Sequence, residues 1–134
     1  MKPRYLLLLA TFHTFTAASA HAQSFAGEYS DKNLLGGKAV FQMSIAGSGS
    51  NMQVSFDAVY NDGHGAAPEA EGSGKVTSKG TVEFKFEDSF KNAGTGTITR
   101  TGDGVIVSLT MTRVADSRCL PFYGQNMRLK RVKK

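Results

Sequence analysis

Tryptophan is absent from the 134-residue chain, cysteine occurs once, and there are only three histidines. Each scarcity removes a kind of chemistry. Cys119, being alone, cannot close a disulfide within the chain. His13 and His21 fall in the first 22 residues, which leaves His64 as the only imidazole beyond them. A Cys–His nucleophile would have to be built from Cys119 and His64, with a third group to orient the base, and their positions do not call for it. Paired metal-binding histidines, a Gly-x-Ser-x-Gly elbow and a phosphate-binding glycine loop are all missing from the sequence. No stretch after residue 22 keeps a helical apolar spacing over three turns. The chain reads as a non-enzyme with no cofactor, and as all-β.

The opening MKPRYLLLLATFHTFTAASAHAQ has three parts. Lys2 and Arg4 are basic, residues 5–15 are mainly apolar, and Ala20-His21-Ala22 puts small residues where a signal peptidase inspects the chain. This pattern predicts a secretory signal over residues 1–22 and a periplasmic or secreted product. The apolar stretch falls short of the ~20 residues a spanning helix needs, so no integral membrane segment is expected once the signal is removed. Residues 23–134 then form a single domain. Without Lys2 and Arg4 there remain 14 basic and 11 acidic residues, or +3; five of those bases sit in the last seven residues, RLKRVKK. A near-neutral body with a basic end argues against nucleic acid as partner, because such binders spread positive charge over a face. The same +3 disfavours a strongly basic target. In RLKRVKK itself, Met127 and Leu129 alternate with Arg128 and Lys130, as on a final strand with a charged outer face.

Period-two alternation recurs. VEFKFE sets Val82, Phe84 and Phe86 against Glu83, Lys85 and Glu87; MQVSFDAVY and VIVSLTMT alternate in the same way. Successive side chains of a strand point to opposite faces, so these are strands with one buried side. Clusters of Gly, Ser, Asn and Asp at residues 47–51, 78–80 and 101–104 supply the hairpin turns. Eight strands are predicted, near residues 24–30, 38–46, 51–61, 72–78, 80–88, 93–101, 104–114 and 125–132. Short links between them give a single antiparallel meander, closed into a small barrel or, alternatively, folded as a β-sandwich. Gly72, Gly74, Gly94 and Gly96 fall on inward positions, which fits sharp bends at barrel corners. They also leave room on one side of an interior otherwise filled by bulky residues.

The first strand carries FAGEYS and the last NMRLKR. This Gly-x-aromatic start and late-strand Arg resemble the small up-and-down barrels of the calycin type, the lipocalin and avidin group. That resemblance implies a structural pairing of Gly27 and Tyr29 with either Arg128 or Arg131, with Tyr standing where those barrels carry Trp.

Candidate contacts lie in the connections. The longest predicted loop, residues 61–72, carries Asp62, His64, Glu69 and Glu71; their spacing matches no calcium loop, and no metal is assigned. The turn FEDSFKNAG offers Asp88 and Phe90, the latter as either an exposed anchor or a plug over the barrel mouth. Before the last strand, SRCLPFYGQN places Leu120, Phe122 and Tyr123 as a cap on one barrel end, with Cys119 either buried among them or paired between chains. A monomer is expected over a disulfide-linked dimer. The role that remains is binding: a protein partner met through the loops, as for a periplasmic inhibitor or immunity protein against a cell-wall hydrolase, or alternatively carriage of a small apolar ligand.

Overall fold

Alternating sequence becomes alternating burial along every long strand. In Asn51–Tyr60, Met52, Val54, Phe56 and Ala58 are buried while Gln53, Ser55 and Asp57 face water. The computed structural model describes residues 24–132; the predicted signal at 1–22 and the last two lysines lie outside the described residues. The strands are β1 (Gly27–Asn33), β2 (Ala39–Ser48), β3 (Asn51–Tyr60), β4 (Glu69–Val76), β5 (Val82–Asp88), β6 (Ala93–Arg100), β7 (Gly104–Arg113) and β8 (Met127–Arg131). They form one antiparallel meander closed into a barrel in the order β1 to β8. Of the two architectures expected, the barrel is the observed one, and closure hides the apolar face that an open sheet would leave wet.

Two strands shift materially: β1, expected over 24–30, runs three residues later, and β4 starts three residues earlier. β4 begins at Glu69, where Pro, Ala and Gly had suggested loop, because Ala70 is drawn inward and its flanking glutamates alternate outward. Two short segments add themselves to the strands. Leu34–Gly37 is a tight turn in which Leu35 (φ 55°) and Gly36 (φ 69°) adopt left-handed backbone. Ser117–Phe122 is a 3-10 helix capped by Asp116, whose side chain accepts the Arg118 N–H.

The inward glycines do not leave empty space. Phe84 stands in register between Gly74 and Gly96, and Phe86 between Gly72 and Gly94. A methyl group on Gly94 would sit 2.9 Å from the Phe86 ring. The Phe86 and Phe84 rings lie across Gly94 and Gly96, and the β5 backbone closes on Gly72 and Gly74, so the room inferred from the missing side chains is filled. Phe56 packs edge-on against Phe86 at 5.0 Å between centroids and stacks on Phe41 at 5.2 Å. Contacts of this kind add stabilisation beyond area burial.

The seam between the first and last strands is short, with two paired positions, Tyr29–Arg131 and Ser30–Lys130. Arg131 reinforces it. Its guanidinium lies 4.9 Å from the Tyr29 ring centroid and donates to Tyr29 Oη at 2.8 Å and to the Ala26 carbonyl at 3.0 Å. Tyr29 in turn donates to the Phe25 carbonyl at 2.7 Å. Gly27 (φ 152°) is required here, because a Cβ would overlap the Arg131 guanidinium. Of the two late-strand arginines, Arg131 is the one that packs on Tyr29, and Arg128 points outward into water. The barrel has two rims. Phe25 closes the N-terminal rim, where β1 enters, with the Arg100 guanidinium 4.6 Å above its ring. The 3-10 helix lies over the far rim.

Candidate functional site

At the far rim the β5–β6 hairpin turns through Lys91 in left-handed backbone (φ 71°). That turn brings Asp88 and Asn92 face to face inside the barrel mouth, at 4% and 0% exposure. Burying a carboxylate requires that its oxygens be satisfied, and these are. Asp88 Oδ1 accepts the backbone N–H groups of Phe90 and Asn92 at 2.8 and 2.9 Å. Oδ2 accepts Asn92 Nδ2 at 2.9 Å and Tyr123 Oη at 2.7 Å. Asn92 Oδ1 reaches across to accept the Ala115 and Asp116 N–H groups at 2.7 and 2.8 Å. One buried polar network thus ties the β5–β6 turn to the segment leading into β8. Burial raises the Tyr123 phenol well above its ordinary value, and its hydrogen bond to Asp88 adds to the rise.

Cys119 is fully buried beside this network. Burial, then the charges of Asp88 and Asp116, push its thiol up. A protonated, inaccessible thiol is a poor nucleophile. Two results are expected: monomer on a non-reducing gel, and reaction with an aromatic disulfide reagent at least 100-fold slower than in denaturant. Rapid labelling of the native protein would place the thiol at the surface.

The other loop candidates scatter. Asp62 and His64 sit in an exposed turn, with the imidazole 3.9 Å from the carboxylate and both side chains largely in water. Among the described residues no group of three His, Cys, Asp or Glu side chains converges to hold a metal. Phe90 is half-buried under Arg118, 5.5 Å from its ring centroid. Asp116 chelates the same arginine, which holds its carboxyl at about 2. Phe122 is fully buried against Tyr60. Asp88, Phe122 and Cys119 therefore belong to the inside of the far rim, while Tyr123 is half-buried at its edge.

Strand register assembles what the loops do not. Glu28, Ser44, Ser55, Glu71 and Glu87 lie in one row across the outer face of β1 to β5. A second row, two residues along, runs through Gln42, Asp57 and Glu69. Five of the eleven carboxylates in the chain thus share one wall. It is concave, with a groove of about 610 Å³ that, among the described residues, no lysine or arginine lines. Arg113 meets it only at one edge, 3.3 Å from Glu87. Asp57 faces Glu69 and Glu71 faces Glu87 directly across strands, and like charges so placed destabilise a sheet. The Asp57 carboxyl is raised, chiefly by burial and then by Glu69. Asn92, Asp57 and Glu28 are site residues that the loop-centred reading passed over, and Glu87 entered it only as part of the FEDSFKNAG turn; alternation marked Asp57 and Glu87 as outward, but only register shows that the three carboxylates align.

Comparison of the chain with models of known protein families, with curated proteins and with solved structures returns no match.

Proposed function

We propose that the protein is a non-enzymatic, exported binding protein that holds a cationic macromolecular partner against the outer face of β1–β5. The observation that carries this reading is the carboxylate wall, with its two cross-strand like-charge pairs; among the described residues the cations beside it are Arg113 on Glu87 at one edge and Lys85 in the adjoining groove. A fold has no need of such pairs, whereas a partner presenting lysines or arginines relieves them. The net +3 charge does not oppose this, since charges more than ~8–10 Å away are screened at physiological salt and the wall dominates its own surroundings. Contact through the sheet face thereby takes over from contact through the loops. The specific form we favour is an inhibitor or immunity protein against a cationic cell-wall hydrolase in the periplasm. The arrangement of Gly27, Tyr29 and Arg131 supports a calycin-like affiliation for the barrel. With Phe rings lying across Gly94 and Gly96, the lumen is a poor place for a carried ligand.

The triple variant Asp57→Asn/Glu69→Gln/Glu71→Gln tests the reading with two readouts of opposite sign. Inhibition of a basic lysozyme by the wild-type protein should be stoichiometric at low salt, weaken as salt is raised, and fall at least 10-fold in the variant. The variant itself should gain up to about 1 kcal/mol of stability as the repulsion is removed. Equal inhibition by both proteins, or none by either across a panel of basic cell-wall hydrolases, argues against the wall as the contact face.

A further inference from the structure

The N-terminal rim carries a second surface, unrelated to the carboxylate wall. Two cavities meet there. One, of about 400 Å³, is walled by Phe25, Met52 and Val76 and by the glycine turns that follow β2 and β4, and Arg100 is its only charged lining residue among the described residues. The hydrogen bond from Val76 N–H to the Gly49 carbonyl, 2.8 Å, holds those two turns together. The other cavity, of about 660 Å³, is lined by Arg100, Lys130 and Arg131, with Asp103 as its one acid among the described residues. Ser24 and Arg100 line both. An apolar cleft therefore opens across Arg100 onto a cationic one, outside the barrel lumen.

Each half alone suits a different ligand; together they suit one. A neutral apolar molecule leaves Lys130 unmatched, and a small inorganic anion leaves the apolar cleft wet. The volume of the apolar half lies within the ~300–1,000 Å³ that small-molecule sites occupy. Arg131 is already engaged with Tyr29 and Ala26, while Lys130 is exposed and, among the described residues, has no carboxylate partner. We propose that this rim binds an anionic single-chain amphiphile, with its tail beside Phe25, Met52 and Val76 and its carboxylate or phosphate head on Arg100 and Lys130.

Calorimetry with dodecanoate, dodecyl phosphate, dodecanol and inorganic phosphate tests this. The two charged amphiphiles should bind one to one, at least 10-fold more tightly than dodecanol, and inorganic phosphate should not bind measurably. Shortening the carboxylate from dodecanoate to octanoate should weaken binding by up to about fourfold per methylene. Lys130→Gln changes an exposed side chain and should lower dodecanoate affinity at least threefold while leaving dodecanol affinity unchanged. Val76→Asp should weaken all the long-chain ligands. The proposal is overturned by dodecanol binding as tightly as dodecanoate, by inorganic phosphate binding as tightly as dodecyl phosphate, or by no binding of either charged amphiphile. Dodecanoate affinity that neither variant moves overturns it equally. None of these results bears on the inhibition assay, which addresses a different face of the barrel.

Discussion

Gly74→Ala should cost the barrel about 3 kcal/mol, at the upper end of ordinary overpacking penalties, and lower its melting temperature by roughly 10–20 °C. The reason is what the new methyl group would meet. It would overlap the Glu83 carbonyl oxygen and lie 2.6 Å from Phe84 Cα, and both are backbone atoms of the paired strand. Backbone held in a ladder cannot step aside without breaking hydrogen bonds. Gly96→Ala makes an informative contrast, because its neighbours are the outer edge of the Phe84 ring and Leu109 Cδ2 at 2.9 Å. Side-chain ends can rotate, so the expected loss there is about 1–2 kcal/mol, and trimming Phe84 to leucine in the same chain should recover part of it. If the glycines instead marked spare room, Gly96→Ala would be neutral or stabilising, as alanine usually is where glycine's freedom goes unused. Thermal melts of the three variants decide between these outcomes.

Asp88→Ala should be at least as damaging, at about 3–5 kcal/mol. Removing one member of a buried charged network leaves the others desolvated and unpaired. Four donors lose their acceptor: the N–H groups of Phe90 and Asn92, Asn92 Nδ2 and Tyr123 Oη. Asp88→Asn keeps the shape and should still fail in part, because an amide nitrogen would face either Asn92 Nδ2 and the tyrosine hydroxyl or two backbone N–H groups. The milder Tyr123→Phe removes a single hydrogen bond to a charged group, about 1.5–3 kcal/mol, and adds a pH signature. The Tyr123 phenol is raised in the folded state by burial and by Asp88. The stability it contributes is therefore fully present below the ordinary phenol value near 10, and is lost as pH rises through the folded value. Tyr29 is raised as well, with burial the largest cause, so both phenols steepen the alkaline decline. Tyr123→Phe should flatten it by one proton's share, and an unchanged alkaline slope in chemical denaturation would place that phenol outside the network.

Much of the architecture was legible because a strand has a period of two and water on one side of it. The alternations in VEFKFE and MQVSFDAVY were enough to place β5 and β3, and the turn residues between them to order the meander. β4 was misjudged at its start because Pro68 precedes it and Ala70, the inward residue between Glu69 and Glu71, is too small to mark an apolar alternation. Missing side chains explain the misread interior. Periodicity says which way Gly94 and Gly96 face but not that rings from the next strand lie over them. Asp88 was taken for a surface contact on the general rule that carboxylates stay in water, and Asn92 drew no notice, though the D-S-F-K-N spacing already offered a carboxylate and an amide across one tight turn. The wall of Glu28, Asp57, Glu69, Glu71 and Glu87 lay beyond reach for a simpler reason. Which outward residue of one strand stands beside which of the next depends on register, and register is a property of pairs of strands.

The seam sets the timetable of folding. Tyr29 and Arg131 are 102 residues apart in the chain, and the ladder that joins their strands is the shortest in the barrel. The entropy of closing so long a loop must be met before two residue pairs and one guanidinium can return anything, so β1–β8 pairing belongs late on the pathway. Until β8 is in place, β1 and β7 each present an open edge. Arg131, on the last strand, acts as the latch that completes closure.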